Sequence, residues 1–199
     1  MAVDTSKSAK IVVVTGSSGS GKSLWVKKQV RRARRLIVWD IDDEYSQSIS
    51  AIVRFTSIKA LVSAVKKAKT GKFAFVGKVS DFEMFCRVAF AWANCTCVVE
   101  ELADVTMPAK APEGWGQLVR RGRKYGIEIY AITQRPSESD KTIIGNASII
   151  HAGRMNRAQD RAYMAKEMDM RLEVINDLKP LEFVEKYDNG ETKRGKVRF

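Results

Sequence analysis

Ile11-Val12-Val13-Val14-Thr15 runs straight into Gly16-Ser17-Ser18-Gly19-Ser20-Gly21-Lys22-Ser23, and this junction restricts the fold more than any other stretch of the chain. A continuous β-branched and apolar run reads as a strand buried on both faces, the habit of parallel sheets covered by helices. The octet matches G-x-x-x-x-G-K-S between such a strand and a helix beginning at the lysine. Glycines let backbone N–H groups turn onto phosphates, Lys22 neutralises the β and γ oxygens, and the Ser23 hydroxyl is available to Mg²⁺. Mg²⁺ and ATP are therefore the expected ligands. A chance Gly/Ser-rich turn is the competing reading, and the correct flanking elements oppose it.

The rest of the chain continues the alternation. A helix is expected over 22–34, strands over 36–39 and 52–55, and a helix carrying Leu61, Ala64, Val65 and Ala68 that stops at Gly71. A strand over 73–76 follows, then a helix to about Ala93 opened by a Ser80/Glu83 capping box, then a buried strand over 96–99. A Pro- and Gly-containing loop over 106–116 precedes a basic helix reaching Lys124 and a strand over 127–133. Downstream, a strand over 148–151, a helix over 157–168 and a hairpin turning at Asp188-Asn189-Gly190 complete the pattern. The expectation is an α/β fold with a mainly parallel sheet, helices on both faces and a C-terminal β-hairpin. One domain over 1–199 is expected, with residues 1–9 as a flexible tail.

Three further places carry chemistry. Glu100-Glu101 ends the strand over 96–99, where open parallel sheets present ligand-facing groups. Two carboxylates there can divide the work, Glu100 holding hydrated Mg²⁺ and Glu101 polarising a water, although acids at such a place also cap helices or lie in solvent. Gln134 ends the next buried strand, and its amide can donate and accept at once, beside a γ-phosphate or as a satisfied strand-end side chain. Arg120, Arg121, Arg123 and Lys124 form a strongly basic stretch. One arginine from it could enter a neighbouring copy's site, worth about a thousandfold or more in rate, and otherwise the stretch faces solvent or DNA.

Charge and composition narrow the class. The 199 residues carry a formal net charge of +12, a cationic excess typical of proteins that work against phosphate backbones. Lys27, Lys28, Arg31, Arg32, Arg34 and Arg35 form a second basic run, spread widely enough that part of it must be solvated. Trp115, between two glycines, reads either as a mobile-loop contact to nucleic acid or as a packed anchor. The apolar tract over 82–99 is interrupted by Glu83, Arg87 and Asn94, so no membrane span is expected. Cys86, Cys95 and Cys97 with a lone His151 make no metal set and read as buried thiols.

Gly16 to Ser23, Asp40-Ile41-Asp42-Asp43-Glu44-Tyr45, Val98-Val99-Glu100-Glu101, and the run from Arg120 through Gly126-Ile127 to Thr133-Gln134-Arg135-Pro136 together resemble the HerA/FtsK superfamily of ring-forming DNA-pumping ATPases. The resemblance covers about residues 10 to 190. It implies a RecA-like core in which an extra strand separates the P-loop strand from the Glu100-Glu101 strand, and a hexameric or similar homo-oligomeric ring on double-stranded DNA. It also implies Lys22, Ser23, Glu100, Glu101 and Gln134 as site residues and Arg123 as the finger acting in trans. Glu100 departs from the aspartate usual at its position. Length and the lack of a span point, within the superfamily, to the genome-packaging ATPases of tailless icosahedral viruses with an internal membrane. The expected setting is then the host cytoplasm or the packaging vertex, with capsid vertex proteins as partners. A phage-assembly ATPase resembling zonula occludens toxin, a nucleotide kinase and an ATP-gated assembly protein are the alternatives.

Overall fold

In the computed structural model residues 9 to 198 are described, so the expected tail lies outside the described residues except for Ala9. The elements in chain order are β1 (Ile11–Thr15), α1 (Lys22–Val30), β2 (Arg35–Trp39), β3 (Ile52–Phe55), α2 (Ile58–Lys67), β4 (Gly71–Phe75), α3 (Phe82–Trp92), β5 (Thr96–Val99) and α4 (Leu102–Val105). They continue as α5 (Glu113–Arg121), β6 (Glu128–Thr133), α6 (Lys141–Gly145), β7 (Ile149–Gly153), α7 (Ala158–Glu167), α8 (Leu172–Asn176), β8 (Glu182–Tyr187) and β9 (Thr192–Lys196).

One nine-stranded sheet has the order β3-β4-β2-β5-β6-β1-β7-β8-β9. Every neighbouring pair from β3 across to β7 is parallel, and β8 and β9 close the sheet as an antiparallel hairpin. Strand β6 lies between β1 and β5, so the expected extra strand separates the P-loop strand from the strand ending at Glu100. This is the RecA-like P-loop arrangement.

Alternate residues of each inner strand enter different cores, as the two-residue period of a strand requires. Ile11 and Val13 join a cluster with Trp39, Phe75, Phe85, Leu118 and Met164, beneath α2, α3, α5, α6 and α7. Val12 and Val14 join Val38, Val98 and Ile132 on the opposite face, beneath Val26 and Val30 of α1 and the buried Tyr45.

Local signals and the fold differ at several places, among them the basic helix expected to reach Lys124, which ends at Arg121 before a 3₁₀ turn. Helix α1 ends at Val30 rather than near Arg34, because Arg35 enters β2. Its guanidinium donates to the carbonyls of Lys69 and Trp92 and stacks 4.2 Å from the Trp92 ring, which makes it a tether rather than a surface charge. Gly71 opens β4 with φ 156° instead of closing α2. The Ser80/Glu83 capping box does not form: a 3₁₀ turn precedes α3, and Glu83 instead accepts from the Gly114 amide at 2.8 Å and from Arg87. Trp115 lies inside α5, wholly buried, with its indole N–H donating to Asp140 Oδ2 at 2.9 Å, so it is a packed anchor.

Candidate nucleotide site

The loop between β1 and α1 takes the shape its glycines permit. Gly16, Gly19 and Gly21 have φ of 149°, 74° and 90°, backbone that a side chain would strain. A Cβ on Gly16 would also meet the Ser20 hydroxyl at 2.5 Å. Ser17 anchors the loop through its amide and hydroxyl, both donating to the Arg154 carbonyl beyond β7. The first amides of α1 have no helical carbonyl to bond and so face the cleft as anion donors. Lys22 is buried, and its ammonium donates to the Ser17 carbonyl at 3.1 Å. Burial lowers its pKa, with Glu101 and Glu100 opposing that shift.

The carboxylates come from the end of β5. Glu100 is buried at 7% exposure and its Oε1 accepts from Tyr45 Oη at 2.7 Å, with Ser23 as a second hydrogen-bond partner. Burial pushes the Glu100 carboxyl up to about 7, against the pull of those two donors. Glu101 follows with φ 47°, a left-handed conformation that costs a non-glycine residue about 1 kcal/mol. That backbone ends β5 and starts α4. It places Glu101 where Gln134, at the end of β6, donates from Nε2 to Glu101 Oε1 at 2.7 Å. The next residue repeats the cross-link: Arg135 pairs with Asp104 of α4 at 3.2 Å.

Glu100, Glu101 and Gln134 line one cleft of about 220 Å³ with Gly19, Gly21, Lys22, Ser23, Asp40 and Glu44. A second hollow of about 430 Å³ shares Ser18, Asp42, Glu101 and Gln134 with it and extends it toward Arg135 and Arg157. A larger hollow of about 680 Å³ lies at the other edge of the sheet, beside Arg34, Arg35 and Glu128, and contains none of the P-loop residues. The P-loop, Glu100, Glu101 and Gln134 all border the smaller cleft.

Gly16 through Ser23, Glu100, Glu101 and Gln134 therefore meet at the C-terminal ends of β1, β5 and β6. Arg123 does not. It is exposed on the 3₁₀ turn that feeds the N-terminal end of β6, and the parallel register of β1 with β6 puts it at the opposite edge of the sheet from its own P-loop. Asp40 lines the cleft and Tyr45 backs it, roles that the sequence does not signal: their stretch stands out only by its resemblance, and the contact from Tyr45 to Glu100 spans 55 residues of chain.

The donor set fits Mg²⁺ and a nucleotide. Ser23 and Glu100 offer hard oxygen ligands, directly or through water. The Ser20 hydroxyl is buried inside the loop without a partner among the described residues, a donor in want of an acceptor. Among the described residues no separate cluster of His, Cys, Asp or Glu forms a metal site, and no helix is long and apolar enough to cross a membrane.

Fold and site together are those of a RecA-like P-loop NTPase. The chain is 37% identical over 175 residues to protein P9 of Pseudoalteromonas phage PM2, covering 83% of this chain and 78% of that protein, and it belongs to the family of that phage protein. No family model matches the chain. Among solved structures, the genome packaging NTPase B204 of Sulfolobus turreted icosahedral virus 2 in complex with AMPPCP superposes with a TM-score of 0.77 at 18% identity, over 96% of this chain and 98% of that one. The N-terminal domain of zonular occludens toxin from Neisseria meningitidis gives a TM-score of 0.50 at 20% identity, over 79% and 90%. The fold is thus nearer to the packaging NTPase than to the toxin domain.

Proposed function

We propose that the chain is an ATP-hydrolysing motor subunit that drives viral double-stranded DNA into a preformed capsid. The observation that carries the reading is the 2.7 Å hydrogen bond between Gln134 and Glu101 at the mouth of the Lys22 cleft. A carboxylate and an amide held together beside a P-loop can grip one water between them, the carboxylate as acceptor of its proton and the amide as its guide. In this reading the P-loop amides and Lys22 bind the phosphates, and Ser23 and Glu100 are the residues that would hold Mg²⁺, which would supply positive charge against the phosphate oxygens when bound. Glu101 accepts the proton of the attacking water, which Gln134 orients in line with the γ-phosphate.

The subunit partner follows from charge. Arg31, Arg32, Arg34, Lys66, Lys67, Lys69, Arg121, Arg123 and Lys124 are exposed at the N-terminal edge of the parallel strands. The C-terminal edge carries Asp42, Glu44, Glu101 and Asp104 around the cleft, and its Arg135 and Arg157 are paired with Asp104, Glu138 and Asp160. Opposite edges of opposite sign favour head-to-tail association, which closes into rings. In such a ring Arg123 of one copy reaches the γ-phosphate end of the next copy's site, and a hexamer is the expected size. Cations left over face the DNA backbone, and capsid vertex proteins at the packaging vertex, reached from the host cytoplasm, complete the assembly. The likeness to a structure described as a genome packaging NTPase supports the same role.

Turnover of ATP with and without double-stranded DNA, at low and moderate salt, tests the proposal. Stimulation that weakens with salt and disappears in Glu101→Gln is expected. Turnover indifferent to DNA would overturn the motor reading and favour an assembly ATPase.

A further inference from the structure

Glu100 is held by a residue from outside both the nucleotide loop and its own strand. Tyr45 is completely buried, and its phenol donates to Glu100 Oε1 at 2.7 Å. A phenol in a dry core needs an acceptor and a buried carboxylate needs donors, so each satisfies the other.

The connection after β2 is built to deliver this ring. Asp40, itself fully buried, accepts from the backbone amides of Glu44 and Tyr45 at 2.9 Å each and of Ser46 at 3.3 Å. Three amides converging on one carboxylate fold the chain back across the sheet end, and Tyr45 turns inward as a result. Lys27, one helical turn beyond Ser23, lies 4.9 Å over the Tyr45 ring and pairs with Glu44 at 2.9 Å. The tyrosine therefore touches both elements that supply the proposed magnesium ligands, β5 through Glu100 and α1 through Lys27.

Resting on the proposed role of Glu100, we infer that Tyr45 is a positioning residue that fixes the Glu100 carboxylate for magnesium. One oxygen is committed to the phenol, which restricts rotation of the group and leaves its other lone pairs for Ser23 and a metal-bound water. Without the phenol oxygen the carboxylate turns freely and loses a buried donor. A residue that orients a metal-side ligand in this way typically changes metal affinity by about 10–100-fold when removed. Its signature is a changed demand for metal rather than a changed affinity for nucleotide.

The test is Tyr45→Phe in the full chain. Binding of a fluorescent, non-hydrolysable ATP analogue is titrated with Mg²⁺, and again in EDTA, beside thermal unfolding of the same samples. The half-saturating Mg²⁺ concentration should rise about tenfold while metal-free nucleotide affinity stays at the wild-type value. In a Glu100→Gln background Tyr45→Phe should add no further shift, since the two residues act through one contact. A lowered melting temperature with an unchanged Mg²⁺ midpoint would assign Tyr45 to packing alone and overturn the inference, as would additive shifts in the double variant. Wild-type protein that binds the analogue equally well with and without Mg²⁺ would instead overturn the reading of Glu100, and the inference with it.

Discussion

The two ends of the parallel core differ more than its two faces do. At the C-terminal ends of the strands, buried Asp40 and Glu100, half-buried Glu101 and exposed Asp42, Glu44 and Asp104 gather around Lys22. At the N-terminal ends, exposed arginines and lysines stand on the turns into β2, β4 and β6, Glu128 on that edge is engaged by Lys10, and exposed Asp188 and Glu191 lie in the hairpin turn beside the start of β7. The net charge of +12 is therefore not a uniform coat. The same strands separate an end where acids gather around Lys22 from an end rich in exposed cations, and a large net charge records only their sum.

The contrast is broken most severely at Arg123. Arg123→Ala should lower turnover about a thousandfold in assembled protein while leaving nucleotide binding intact. Glu101→Gln should lower it at least about a hundredfold, again with binding retained. Mixing these two inactive variants sharpens the comparison, because a joint that pairs an intact Glu101 with an intact neighbouring Arg123 should regain activity. No recovery on mixing would place the arginine outside its neighbour's site. A smaller effect belongs to assembly: Arg121→Glu with Lys124→Glu should raise the concentration needed for self-association by about tenfold or more, read by sedimentation, since like charges would then face each other.

The smallest effect concerns stability. Glu100 has its folded-state pKa raised to about 7, so its ionised form is disfavoured by the fold. Its contribution is fully present below the ordinary carboxylate range and is lost as pH rises through about 7. In metal-free buffer Glu100→Gln should thus be more stable than wild type by about 1–3 kcal/mol at pH 8, and the gain should shrink at pH 5, by urea unfolding. A difference that does not change with pH would mean that Glu100 is not the group being relieved.

Much of this architecture was readable before any coordinates. The strand over 11–15, the P-loop octet and the hairpin turn are local signals, each set by residues within a few positions of one another. So was the meeting of Glu100, Glu101 and Gln134 near Lys22, because residues at the ends of parallel strands share one edge. What escaped depends on partners far along the chain. Glu83 had a plausible task three residues from Ser80 and found a better one at the Gly114 amide. Arg35 left a helical pattern for carbonyls at Lys69 and Trp92. Tyr45 reads as one more aromatic until the return of its loop sets it against Glu100. The left-handed turn at Glu101 has no sequence signal either, since glycine or asparagine would be the usual occupant.

The outer strands constrain how copies of the chain can meet. Strand β9 presents Lys193, Arg194 and Lys196 to solvent, and β3 is only four residues long with Arg54 exposed on it. Cations and short length at a border discourage the backbone of another molecule from adding itself as a further strand. Growth by extending the sheet, which would give open-ended fibres, is thus penalised at both borders. If copies gather into the closed ring proposed above, hydrogen-bonding borders unattractive to their own kind keep that assembly from growing into a fibre.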